Sequence, residues 1–268
     1  MSWKKIKTFL ILLFLLINLY LIFSTNGTVI KFDSVTAIDE ETINKTVEIL
    51  HHNYGISLKD DAIPSKINNI NIIDVTNYIY EDKLKNNDKY QLRISGAEFS
   101  AVITTKTYSY NETNAASEIV SVLHELGFTP DSYVMSFSKS DRGLVCYIDE
   151  YVSDVPILNG RIRAEFSPTS ISIRGRWYSP HTFDVKADDN SLRMTDVTGV
   201  LIDAAGRAQP SGASAITKVV YGYYVSSYDE NSVSKTSSAI PCYMIETDIG
   251  SKYFYDAYNG KFLKQEDY

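Results

Sequence analysis

The segment Ile6 to Phe23, IKTFLILLFLLINLYLIF, constrains this chain more than any other stretch. Its polar residues are Lys7 and Thr8 at the start, Asn18 inside and Tyr20 near the end. A run of about 18 apolar residues is the length at which a helix spans a bilayer. Lys4, Lys5 and Lys7 lie at its N-terminal side, and no basic residue follows until Lys31. The positive-inside rule therefore predicts a cytoplasmic stretch over 1–5, a transmembrane helix over 6–23 and an extracytoplasmic remainder. A cleaved signal peptide shares the basic start, but its apolar core runs about 7–15 residues before a small-x-small site. Phe23-Ser24-Thr25-Asn26 matches such a site poorly, which favours a retained anchor.

About 245 residues remain beyond the anchor, more than an average domain of 100–200 residues. The apolar content of 44% is enough for buried cores. A net charge of -7 argues against a nucleic-acid partner, because phosphate binding draws on a basic surface. The 20 tyrosines suit strands with one wet face. Cys146 and Cys242 sit in strand-like runs. Two readings stand for them, an extracytoplasmic disulfide and two small buried apolar residues.

Three helical patterns recur, each followed by strand-like segments. Asp39 to about Tyr54 carries Ile43, Val47, Leu50 and Tyr54 on one stripe, with Gly55 as the stop. A second begins near Asn114, with Ile119, Val122, Leu123 and Leu126 at helical spacing before Gly127. The third, Thr195 to Ala208, contains Gly199 and Gly206, which weaken a helix. Between them, Asn71–Tyr80, Tyr90–Ile94 and Glu98–Tyr110 read as strands. Asn159-Gly160 between two apolar runs predicts a two-residue hairpin turn. Gly250-Ser251 and Asn259-Gly260 predict two more near the C-terminus. The expected class is α+β, with antiparallel sheet and packed helices in two small domains over 24–130 and 131–268.

Motifs for catalysis or metal binding are missing from the sequence. His124-Glu125 opens like a zinc-protease helix, but Phe128 stands where the second His is needed. His51 and His52 are adjacent and point apart on a helix. Gly212-Ala213-Ser214-Ala215-Ile216 lacks the second Gly of a nucleophile elbow. The expectation is a chain with no enzymatic activity, no cofactor and no metal.

Two groups of residues are candidate contact sites. Arg161 and Arg163 alternate along one strand, Arg174 and Arg176 along the next, with Ser167-Pro168-Thr169-Ser170 as the turn. A hairpin symmetric about that turn sets Arg163 against Arg174 and Arg161 against Arg176, all on one face. Like charges directly opposite are destabilising. The patch is therefore neutralised by neighbours such as Asp149 and Glu150, or it binds an anion or acidic partner. In the anchor, Asn18 shares a stripe with Ile11, Phe14, Leu15, Leu21 and Ile22. That stripe serves helix pairing in the membrane, unless Asn18 lies near enough to the interface to be wetted.

The opening Met1-Ser2-Trp3-Lys4-Lys5-Ile6-Lys7-Thr8, followed directly by the apolar span, resembles the start of YycI, a Gram-positive membrane-anchored accessory protein. The likeness continues in Ile56-Ser57-Leu58, Ile63-Pro64, Pro241-Cys242-Tyr243, Tyr253-Phe254-Tyr255-Asp256-Ala257 and Gly260. The last hairpin also resembles PepSY-like and YycH-type envelope domains. The resemblance implies two extracytoplasmic α+β domains on one span. It further implies regulation of the YycG/WalK-type sensor histidine kinase of the cell-wall two-component system, together with a YycH-like sister protein. The primary expectation is a non-enzymatic regulator acting by transmembrane and extracytoplasmic contacts in the cell membrane. The alternative is an envelope module that holds cell-wall polymer or peptide.

Overall fold

The computed structural model describes residues 34–36, 40–64, 66–68, 70, 72–77, 90–95, 98–104, 109–128, 132–141, 143–180, 194–226 and 236–267. The anchor at 6–23 and its stripe of Ile11, Phe14, Leu15, Asn18, Leu21 and Ile22 lie outside these residues. Among the described residues, no helix is long and apolar enough to cross a membrane.

The chain runs β1 (Ser34–Thr36), α1 (Glu40–Tyr54), β2 (Ser57–Leu58), β3 (Lys66–Asn68), β4 (Ile73–Asn77), β5 (Arg93–Ser95), β6 (Glu98–Thr104) and α2 (Glu112–Glu125). It continues through β7 (Tyr133–Ser140), β8 (Gly143–Val152), β9 (Val155–Phe166), β10 (Ser170–Gly175), β11 (Tyr178–Pro180) and α3 (Val197–Ala208). A 3-10 turn (Gln209–Ser211) leads to β12 (Ala215–Val225), β13 (Thr236–Thr247), β14 (Lys252–Asp256) and β15 (Phe262–Glu266). The class is α+β, mostly sheet with three described helices.

Local chemistry accounts for the helices. Asn111 caps α2 through a reciprocal capping box with Asn114, which satisfies backbone donors that the first turn leaves free. Asp196 caps α3 by accepting from the Thr198 N–H. Gly55 ends α1 in the left-handed region, with φ of 65°. The two glycines of α3 do not break it. Burial of Val197, Val200, Leu201, Ala204, Ala205 and Ala208 holds the helix, so packing outweighs propensity there.

β5, β6, β10, β9, β8 and β7 form, in that order, a six-stranded antiparallel sheet. One of its faces is covered by α2: Ile119, Val122 and Leu123 share a core with Phe99, Ile148, Ile162 and Ile173. That core draws on residues both before and after position 130. A second group, β4, β12, β13, β14 and β15, carries α1 and α3 over a core containing Leu50, Leu201, Ile245, Tyr253 and Tyr255. β9 joins the groups, since Ile157 pairs in parallel with Tyr223 of β12. A third cluster, with Val75, Val152, Ile157 and Tyr223, fills the junction.

The Asn159-Gly160 expectation is overturned, because both residues lie inside β9. The turn between β8 and β9 is Ser153-Asp154, both with positive φ (48° and 67°), as a type I′ turn requires. Asn159 instead bonds the Val225 backbone in both directions, donating to its carbonyl (2.8 Å) and accepting from its N–H (3.0 Å). Gly160 is needed for space, since a Cβ there would sit 2.9 Å from Glu150 Oε2. An Asn-Gly pair that crosses between sheets looks the same in sequence as one that turns.

Candidate functional site

The turn at Ser167 to Ser170 sets the register of the candidate site. The Ser167 N–H donates to the Ser170 carbonyl (2.9 Å), and the Ser170 N–H donates to Ser167 Oγ (3.0 Å). The hairpin so closed pairs Arg163 directly with Arg174, as the symmetry of the turn requires. The ladder continues one step further, where the Arg176 N–H donates to the Arg161 carbonyl. Gly175 permits this approach, because a Cβ there would run into that same carbonyl oxygen.

The four arginines line one cleft of about 270 Å³ on the sheet face opposite α2. The sequence does not reveal the rest of its wall. Lys252 of β14 and Glu266 of β15 enter from the C-terminal hairpin, Glu98 from β6 and Tyr147 from β8. These contacts join distant parts of the chain. Arg176, for instance, donates to a Glu98 carboxylate oxygen 78 residues away, at 2.6 Å. No local pattern encodes such a pair.

Most of the positive charge is partly neutralised. Asp149 receives Arg161 in a two-pronged contact, with Nε to Oδ1 at 2.5 Å and Nη2 to Oδ2 at 3.1 Å. Arg163 pairs with Glu165 on its own strand. Arg174 is exposed and has no ion pair among the described residues. Five cationic side chains thus meet two lining carboxylates, Glu98 and Glu266. Asp149 and Glu165 add two carboxylates, while Glu266 is itself shared with Lys264 at 2.8 Å.

The crowding shows in the ionisation of Lys252. Burial first, and then the positive charge of Arg161, holds its ammonium below the usual value. At Arg176 burial opposes the charge most, but Glu98, Tyr178 and Glu266 together raise the guanidinium. Arg161 also lies 5.3 Å from the centre of the Tyr147 ring, within cation–π range.

Glu150, expected beside Asp149 as a second neutralising carboxylate, does not reach the arginines. The β8–β9 register shifts between Asp149 and Tyr151. Alternation along β8 puts Glu150 on the buried face with Ile148 and Val152, where it accepts the Tyr178 N–H at 3.0 Å. Burial pushes its carboxyl well above the usual range, while the Tyr178 N–H pulls it down.

The histidines and cysteines singled out in the sequence do not line the cleft. His51, His52 and His124 are exposed at helix ends. Among the described residues no group of metal-ligating side chains comes together. Cys146 and Cys242 are both buried free thiols. Burial, then Asp149, pushes Cys146 up to about 11. Burial raises Cys242 further, against a backbone hydrogen bond.

No family model and no curated protein matches the chain. Among solved structures, an uncharacterized protein from Eubacterium rectale ATCC 33656 is similar, with a TM-score of 0.41 and 11% identity. The likeness covers 73% of this chain and 86% of that one.

Proposed function

We propose that this chain is a non-enzymatic, membrane-anchored regulator whose exterior makes contact through the arginine cleft. One observation supports the reading. A small concave site gathers five cationic side chains on a protein whose net charge is -7. Arg163 and Arg174 stand directly opposite each other, a like-charged pair that weakens a sheet, so an anionic partner gives the arrangement a purpose. The resemblance to YycI supplies the context. Anchored by 6–23 in the cell membrane, the chain biases a YycG/WalK-type sensor histidine kinase together with a YycH-like sister protein. It shifts the kinase only so far as it binds one signalling state better than the other.

The test is kinase autophosphorylation in proteoliposomes holding the kinase with the full chain, or with its Arg163→Glu, Arg174→Glu variant. The proposal predicts that the variant returns kinase output toward that of the kinase alone. Unchanged output with an intact circular dichroism spectrum removes the cleft from the mechanism. The same cleft favours the second reading, a module holding an envelope polymer or peptide, because it is concave rather than flat.

A further inference from the structure

We infer that the arginine cleft takes a phosphate ester carried on a polyol or sugar. The inference rests on the proposed reading of the cleft as a contact surface and specifies what it contacts.

The volume comes first. At about 270 Å³ the cleft is near the lower end of ligand pockets, which begin at roughly 300 Å³. It therefore seats one compact anionic group, yet five cationic side chains line it. A carboxylate offers two oxygens and a single charge. A phosphate monoester offers three terminal oxygens and nearly two charges at neutral pH. Arg163 and Arg174 face each other across the ladder, with Arg161 and Arg176 one step along it. Each guanidinium carries five N–H donors, and Arg163 has one carboxylate partner and Arg174 none among the described residues. A tetrahedral group facing several planar forks uses them better than a carboxylate does.

The carboxylates narrow the class further. Glu98 and Glu266 line the same cleft. They accept hydrogen bonds from the free hydroxyls of a polyol or sugar, which a DNA strand lacks along its backbone. Asn159 adds an amide to the wall, although its own groups are taken up by Val225. The Tyr147 ring offers a flat apolar surface to a carbon skeleton.

The basic row does not stop at the cleft. Arg93 of β5 pairs with Ser100 of β6, and Ser100 pairs with Arg174. Arg93 is exposed on the same sheet face, two strands beyond Arg174, or about 10 Å away. A chain of repeated phosphate esters lying across the strands reaches it, and a free ester does not.

Isothermal titration of the full chain in non-ionic detergent at low salt tests the inference. The probes are glycerol 3-phosphate, a glycerol-phosphate oligomer ending in a phosphate monoester, an oligogalacturonate and a single-stranded oligonucleotide. Both glycerol phosphates are expected to bind at least tenfold more tightly than the oligogalacturonate. Arg163→Gln with Arg174→Gln is expected to weaken them by on the order of 10- to 100-fold, as loss of hydrogen bonds to a charged group does. Should the double variant not fold, the exposed Arg174→Gln alone is expected to weaken them about tenfold.

Equal or tighter binding of oligogalacturonate overturns the phosphate assignment and leaves the cleft as an anion site. Tighter binding of the oligonucleotide than of the glycerol-phosphate oligomer overturns it in favour of nucleic acid. No heat with any probe at two temperatures overturns the inference, while the cleft reading is decided separately by the kinase-output test. Arg93→Gln separates the two sources. Loss of oligomer affinity alone supports a chain-borne ester, and no change for either probe supports a free one.

Discussion

Arg163 on β9 and Arg174 on β10 stand directly opposite each other, and only Arg163 has a carboxylate partner, Glu165, among the described residues. A like-charged cross-strand pair weakens a sheet by about 0.2–1 kcal/mol. Replacing Arg174 with Thr, a good strand residue, is therefore expected to raise stability by up to about 1 kcal/mol in ligand-free buffer. Urea denaturation checks the sign. A loss of stability would mean that the pair is not repulsive. Arg161→Ala removes a part-buried, two-pronged contact to Asp149 and is expected to cost about 1 kcal/mol.

Glu150 predicts a pH dependence. Its carboxyl is raised in the folded protein by burial, whereas in the unfolded chain it ionises near pH 4.3. The folded state thus binds the extra proton, and stability falls as pH rises above about 4.3 toward the folded value. Glu150→Gln keeps an acceptor for the Tyr178 N–H and removes the titration. Melting temperatures from pH 4 to 7 are expected to coincide at the acid end and to separate upward, with the variant more stable near neutrality. Parallel curves would contradict the assignment.

Glycine positions give opposite outcomes according to their surroundings. Gly175→Ala drives a Cβ into the Arg161 carbonyl and is expected to cost about 1–3 kcal/mol or more, with loss of anion binding. Gly199→Ala meets nothing within 4 Å on an exposed helix face and is expected to gain about 0.4–1 kcal/mol. Thermal melts of the two variants are sufficient to check this.

The two thiols are expected to be silent. Both are fully buried, and burial raises each above its ordinary range. Maleimide labelling of the native protein should modify neither Cys146 nor Cys242, while labelling in denaturant should modify both. Rapid native labelling would show that these strands open.

The sequence makes legible what is encoded over short range. The helices at Glu40–Tyr54 and Glu112–Glu125 follow from apolar spacing and caps, and the Arg163–Arg174 register follows from a Ser-Pro-Thr-Ser turn. Asn159-Gly160 misleads because its local signal is identical for a hairpin and for a strand crossing between sheets. The Ser153-Asp154 turn carries no glycine to announce its positive φ values. Glu150 follows Asp149 directly on β8, so the strand's alternation turns it to the buried face, away from the arginines. Lys252, Glu98 and Glu266 join the cleft only through strand pairing over long sequence distances, which leaves no periodic trace.

The central claim is that the chain makes its contact through the arginine cleft. Phenylglyoxal labelling of the full chain, read by mass spectrometry with and without saturating glycerol-phosphate oligomer, tests it most directly. The account predicts that the oligomer protects Arg163 and Arg174 severalfold while Arg207, on α3 and paired with Asp203, labels at an unchanged rate. Protection of Arg207 with none at Arg163 or Arg174, or uniform labelling while the oligomer is bound, would contradict it.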